Sequence, residues 1–292
     1  MSESPLIGAS HLHLPAGPWR SLLDGLCDVL PGVDRATWLA RLQQGKVLFQ
    51  GQPLAVDSPY REGMRVEYFR EVVNEREIPF AVEILHHDEH LLVVDKPHFL
   101  AVAPAGQWVE QTVLRRLQRQ LQLPELVPLH RLDRLTAGVM LLSCQRSSRD
   151  AYLSLFRQQR MHKVYEAVAG PLPGLAWPYQ AAHCLQPGEP FFRMQAVSGP
   201  ANAWTTLQVL ERGSAYWRYR LQPQTGRKHQ LRVQMAALGA ALRHDPLYPQ
   251  LQAHDADDFT QPLQLLARSL HFDDPLSGLP RHFLSQRQLL PL

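Results

Sequence analysis

What this chain lacks narrows it before any motif is read. Nowhere in its 292 positions do about 18 apolar residues run together, so nothing in it reads as a membrane-spanning helix. Met1 to Pro18 has no basic stretch leading into an apolar block, and no secretory leader is expected. Cysteine is scarce: Cys27, Cys144 and Cys184 are odd in number and far apart, so neither a disulfide framework nor a zinc knuckle follows from them. A reducing, cytoplasmic setting is the expectation. There is no internal repeat, no low-complexity tract and no glycine-rich phosphate loop of the P-loop or dinucleotide kind. The Gly-x-Ser-x-Gly elbow of serine hydrolases is missing too. Charge of one sign is not in large excess: the formal balance is +3, which neither requires nor excludes a nucleic acid, since a binding face needs local charge. Lysine is the rarest cation, with only Lys46, Lys96, Lys163 and Lys228 among thirty basic residues. Against that bias a lysine either marks a place where a guanidinium will not serve or reflects chance in a small sample.

What is present reads as alternating helices and strands. Asp34 is placed to cap a helix carrying Trp38, Leu39 and Leu42 on one face, with Gly45 to end it. Lys46 to Gln50, a Gly51-Gln-Pro53 turn and the alternating Arg65 to Phe69 follow as strand, turn and strand. Glu71 to Phe80 suits a linker. From Val82 a second domain is expected, with a buried strand at 91–94 stopped by Pro97. His86, His87 and His90 are better read as a polar turn than as metal ligands. Glu110 to Leu121 predicts an amphipathic helix with Arg115, Arg116 and Arg119 on its wet side, and Ser147-x-x-Asp150 predicts the start of another. Lys163 to Val168 alternates as a strand. The Pro/Gly-rich segment 170–200 reads as loop or short hairpin. Strands are expected at 203–210 and 216–221, a turn at Thr225-Gly226, a helix over 228–238 and a last strand pair near 263–272 and 281–286. The acidic patch from His254 to Asp258 is expected to be a solvated loop.

The chemistry concentrates in Leu129 to Ser143. His130, Arg131, Asp133, Arg134 and Thr136 crowd the approach to an apolar strand at 139–142, with Gly138 to let the backbone turn. One carboxylate among cations, held against a buried strand, is a way to present a single reactive acid; a capped, solvated turn is the alternative. His130-Arg131-Leu132-Asp133-x-x-Thr136-x-Gly138 resembles the signature of the RluA-type RNA pseudouridine synthases, with Ala137 where that family mostly has Ser. Lys96-Pro97, Lys163-x-Tyr165 and Thr225-Gly226-Arg227-x-His229-Gln230-Leu231-Arg232-Val233 resemble further family motifs in family order. Asp245-x-x-Tyr248 is a partial match. The departures are Phe99, Ala137, Lys228, Gln234, His244 and Asp274. The resemblance covers roughly residues 82–286.

That resemblance implies the pseudouridine synthase fold: α+β, a mixed, mainly antiparallel sheet with flanking helices and a central RNA-binding cleft. It implies isomerisation of a uridine within RNA, without metal or cofactor. Asp133 would act as nucleophile on C1′ or as base on C2′, Arg232 would pair with it, and Tyr165 would stack on the uracil and take part in proton transfer. Arg131 would fill the space of the flipped base. His130, Lys163, Arg227 and Leu231 complete the expected substrate contacts, with His130 also shaping the loop and Lys163 either bracing the site or reaching phosphate. Residues 1–75 resemble, on Arg41-Leu-x-x-Gly45-x-Val47 and Gly63-x-x-Val66, the small RNA-binding module of ribosomal protein S-four, with residues 76–292 as the catalytic domain. Structured RNA is the expected partner, ribosomal RNA before tRNA, bound by a monomer. A silent RNA-binding protein on the same fold is the rival, although none of Asp133, Tyr165 and Arg232 is replaced. A carboxylate-pair glycosidase would have to use Glu166, which faces away from Tyr165 along the strand.

Overall fold

The computed structural model describes residues 9–69, 75–252 and 258–292; the acidic patch predicted at 254–258 lies outside them except for Asp258. The chain divides into two units, Met1–Asn74 and Glu75–Leu292.

In the first unit, β1 (Ser10–His13), β4 (Arg65–Tyr68), β2 (Val47–Phe49) and β3 (Gln52–Pro53) pair in that order, all antiparallel. Two helices accompany them, α1 (Leu22–Val29) and α2 (Arg35–Gln43). The α2 start follows the sequence: Asp34 accepts the Thr37 N–H at 2.8 Å. Helix α1 was not anticipated, because Gly25 interrupts so short a pattern. Its cap is Ser21, which accepts from the Asp24 N–H, and Leu22, Leu23 and Leu26 enter a core with Trp38 and Val66. Arg41 is turned inward, its guanidinium 5.0 Å from the Trp38 ring centre.

The second unit is built on one large sheet. Its strands are β5 (Glu83–His87), β6 (Leu91–Lys96), β7 (Val127–Pro128), β8 (Ala137–Ser143), β9 (His162–Ala169), β10 (Tyr179–Pro187), β11 (Met194–Val197), β12 (Ala203–Arg212), β13 (Trp217–Pro223), β14 (Leu265–Asp273) and β15 (Pro280–Leu284). The helices are α3 (Val113–Leu121), α4 (Arg146–Arg157) and α5 (Gln230–Ala237). The main path runs β11-β10-β12-β13-β9-β14-β8-β6-β5, with β15 on β14 and β7 on β8. Only the β14–β8 pairing is parallel. The mixed, mainly antiparallel sheet with helices expected from the sequence is therefore what forms. The runs Leu91–Val94 of β6 and Val139–Leu142 of β8 are apolar at every position because both faces are covered: Leu92, Val94, Met140 and Leu142 pack with Val113 and Leu117 of α3, while Leu91, Val93, Val139 and Leu141 pack with Tyr152 and Leu155 of α4.

The segment 170–200 forms the hairpin that was one of its two readings, with a nine-residue strand, β10; its prolines and glycines cluster on the flanks and leave Tyr179 to Gln186 free to pair. Three expectations need correction. Helix α4 starts at Arg146 behind Gln145 with no side-chain cap, so Ser147 and Asp150 sit inside its first turns. Helix α5 starts two residues late because His229 enters it in a left-handed conformation, φ +54°. The arginines of α3 are mostly not its wet side: Arg115 is buried, and Arg116 donates to the carbonyls of Phe80 and Ile78 at 2.7 and 2.6 Å, tying the incoming chain to the helix. Phe99 also departs from ordinary behaviour, holding φ +67° while buried. A left-handed backbone is unfavourable by roughly 1–2 kcal/mol, which burial of an aromatic ring, about 1.5–3 kcal/mol, offsets. That ring meets Phe80 and Phe259.

Candidate active site

The loop between β7 and β8 is fastened from three sides. His130 accepts the Leu141 N–H on Nε2 at 3.0 Å and packs against Phe156, so burial pushes its imidazole down to about 3 and it stays neutral. The Asp133 carbonyl accepts the Thr136 N–H, closing a turn that leads into β8. Lys96, fully buried, donates to the carbonyls of Pro97, Leu100 and Arg134 at 2.9, 2.8 and 3.0 Å. Burial pushes its pKa well down, and the charge of Asp133 opposes that. Three converging acceptors nevertheless match the three donors of an ammonium, which a neutral amine could not supply, and a planar guanidinium could not converge on them.

At the β8 end, Gly138 has φ +115°, and a Cβ there would fall 2.2 Å from the carbonyl oxygen of Ala267. Only glycine lets β8 lie against β14 at this register.

The turned-out Asp133 meets helix α5. Arg232 Nη1 donates to Asp133 Oδ2 at 3.3 Å, across 99 positions of sequence. The same guanidinium is held bidentately by Asp245, Nε to Oδ2 at 2.8 Å and Nη2 to Oδ1 at 2.7 Å, with both side chains almost fully buried. Such a fork fixes the orientation of the guanidinium as well as its charge. Burial alone would lower the Arg232 pKa, but the Asp245 hydrogen bonds and charge, and then Asp133, raise it above normal. Asp245 in turn accepts the N–H groups of Leu247 and Tyr248.

The other oxygen of Asp133 faces His229, Nε2 to Oδ1 3.8 Å. Tyr248 Oη accepts the Met194 N–H at 2.8 Å and lies 2.8 Å from His229 Nδ1. Tyr248 and His229 thus form a hydrogen-bonded pair beside Asp133. Burial lowers the His229 pKa to about 4 against the raising effect of Asp133.

A cavity of about 380 Å³ opens above this pair, and all eight residues singled out in the sequence line it: His130, Arg131, Asp133, Lys163, Tyr165, Arg227, Leu231 and Arg232. They are not equally free. Arg131 stands exposed at the rim. Lys163 donates to the Thr225 carbonyl at 3.2 Å, and burial lowers its pKa. Arg227 is exposed and its Nε donates to the Asn202 carbonyl at 3.3 Å. Leu231 belongs to the core beneath the floor. Tyr165 stands on β9 between Leu221 and Ala267, and burial, then the charge of Asp133, pushes its phenol above the ordinary range. The sequence reading assigned no role to Asp245, His229, Tyr248 or Gln230. Gln230 accepts from the Arg227 N–H and the Thr225 hydroxyl, and donates to the Trp204 carbonyl and Thr205. All four lie in the quoted motifs, which was the signal available.

One family model, RNA pseudouridylate synthase, matches residues 90–237. An uncharacterised RNA pseudouridine synthase of Synechocystis sp. is 31% identical over 232 residues, covering 74% of this chain and 75% of that protein. The dual-specificity RNA pseudouridine synthase RluA of Vibrio vulnificus is 34% identical over 211 residues, covering 67% and 79%. Among solved structures, human RNA pseudouridylate synthase domain containing 1 shares the fold at a TM-score of 0.58 and 22% identity, covering 71% of this chain and 84% of that one.

Proposed function

This chain belongs to the RNA pseudouridylate synthase family and is an enzyme that isomerises uridine to pseudouridine in RNA; from that premise we propose that Asp133 is the group that opens the glycosidic bond. The observation that carries this reading is the Asp133–Arg232–Asp245 array at the mouth of the cavity. An acid with only one long hydrogen bond and a fixed cation beside it keeps lone pairs for a reactant.

The reaction cuts N1–C1′ and joins C5 to C1′; the C5 proton leaves and N1 regains one, so nothing is oxidised or reduced. Asp133 acts on C1′ as nucleophile or removes the C2′ proton as base. Deuterium at C2′ slows turnover only in the second case. Tyr165, a phenol protonated at neutral pH as tyrosines ordinarily are and held so more firmly by burial, offers a ring face for the uracil and an O–H donor. The uridine leaves its stack to reach the cavity, at about a few kcal/mol, and Arg131 at the rim fills the gap. Lys163, Arg227 and Lys228 give this mouth the cationic excess that a phosphate chain needs.

Structured ribosomal RNA is the proposed substrate and tRNA the second candidate; the name of the Vibrio relative records a dual specificity. The unit of residues 1–74 adds affinity for that RNA through exposed Arg20, Arg61 and Arg65; charge reversal at Arg61 and Arg65 that left RNA affinity untouched would remove it from the reading. Mapping pseudouridines across total RNA with and without this gene names the target. A wild-type protein that restores no missing pseudouridine would end the proposal.

A further inference from the structure

A second cavity, about 410 Å³, adjoins the first and shares Arg131, Asp133, Lys228, His229 and Arg232 with it. Its walls differ in kind. Pro246, Leu247, Leu251 and Phe192 line it, and Phe192 carries Phe191 beside it, ring centres 5.5 Å apart and edge to face. Phe191 is 87% exposed, the most open large apolar side chain among the described residues. Two phenylalanines left in water beside a cationic mouth call for an occupant.

The pair sits on the turn between β10 and β11, and that turn is anchored to the site. Arg193, the next residue, lies 5.2 Å from the Tyr248 ring centre and donates to the Pro249 carbonyl at 2.9 Å. Met194 donates its N–H to Tyr248 Oη, the hydroxyl that meets His229. The rings are thus held in register with Asp133.

Resting on the reading that Asp133 works on a uridine in RNA, we infer that the Phe191–Phe192 pair and this cavity form a stacking subsite for an unpaired base adjacent to the target uridine. Three features select that occupant. The cavity shares Arg131, Asp133, Lys228, His229 and Arg232 with the one assigned to the target nucleoside, so a neighbouring nucleotide reaches it without leaving the strand. Arg131 and Lys228 flank the junction, where the linking phosphate must pass. Aromatic faces accept any base, each having a π-face. The subsite therefore favours targets in loops or bulges, where the neighbour is also unstacked.

The test uses the full chain carrying Asp133→Asn to halt turnover, and a synthetic RNA stem–loop built around the uridine mapped above. A second RNA lacks only the base next to that uridine. Phe191→Ala/Phe192→Ala should weaken binding of the intact RNA about five- to tenfold and leave the abasic RNA unaffected, with Phe192→Trp restoring affinity. Both positions are exposed, so melting should not change. Equal losses on both RNAs, or no loss on either, would overturn the subsite. So would a change in oligomeric state in light scattering, which would make the pair a protein contact. If the wild-type enzyme fails to modify the stem–loop, the reading beneath the inference falls instead.

Discussion

Asp95 and Asp133 stand at opposite ends of the same device. Asp95, at the end of β6, is fully buried and satisfied: Ser285 Oγ lies 2.9 Å from each oxygen, the Gln286 N–H 2.7 Å from one, and Arg287 Nε 3.4 Å from the other. Burial raises its pKa, and those donors work against the rise. Asp133 has one donor at 3.3 Å, a second nitrogen at 3.8 Å, and 17% of its side chain open. The first carboxylate is spent on holding the C-terminal segment to the sheet. The second has its cation fixed by a third party, Asp245, and keeps its remaining lone pairs facing a cavity. Incomplete satisfaction, made durable by a rigid neighbour, separates the acid proposed to react from the structural one.

The sharpest way to break the comparison is to neutralise each acid in turn. Asp133→Asn should reduce pseudouridine formation by about 10⁴-fold or more while RNA affinity and melting temperature stay close to wild type. Asp95→Asn should do the reverse, lowering stability by about 1–3 kcal/mol with unchanged turnover per folded molecule. Tritium release from C5-labelled RNA and thermal melts read both.

Next comes the third party. Asp245→Ala should unfold the protein by about 3–5 kcal/mol, because it leaves a buried guanidinium unpaired. Asp245→Asn keeps an acceptor and should instead lower kcat about tenfold with little change in KM, a split that a merely structural residue would not give.

Acid extends the comparison to the imidazoles. His98, His130 and His229 titrate at about 4, 3 and 4 in the fold, mainly through burial, against about 6.5 unfolded. Between pH 6.5 and 4 the unfolded chain therefore binds more protons, and stability falls as pH is lowered. Asp95, with a raised pKa, acts with the opposite sign above its unfolded value, so its contribution partly offsets the histidines. Urea titrations across pH 4.5–7 should show a steady loss toward acid; a flat profile would contradict the buried neutral imidazoles. The smallest effect is expected from Tyr165→Phe, about three- to tenfold on kcat, since the ring face survives; Tyr165→Ala should lose about a hundredfold.

Legibility in the sequence followed periodicity and motif. Strand β6, helices α2 and α3 and the Asp133 turn were readable because apolar spacing or caps announce them locally. Helix α1 and strand β10 were hidden, one by its shortness and Gly25, the other by the prolines around it. Tertiary position was harder. Arg41 turns inward over Trp38, and buried Arg115 donates to Gln118, which itself donates to the Leu126 carbonyl beyond α3; no local pattern reveals either course. The Asp133–Arg232 pairing came from family order, while the clamp by Asp245 and the Tyr248–His229 contact beside Asp133 needed coordinates, because they are relations among three residues rather than a spacing.

Gly138 carries one last implication, for the timing of biosynthesis. The strand it opens is seated by Ala267, about 130 positions downstream. A nascent chain that has just released its His-Arg-Leu-Asp motif from the ribosome carries Asp133 but neither the strand that seats its loop nor Arg232. The array proposed to act on uridine therefore cannot assemble until β14 has been made and slots between β8 and β9.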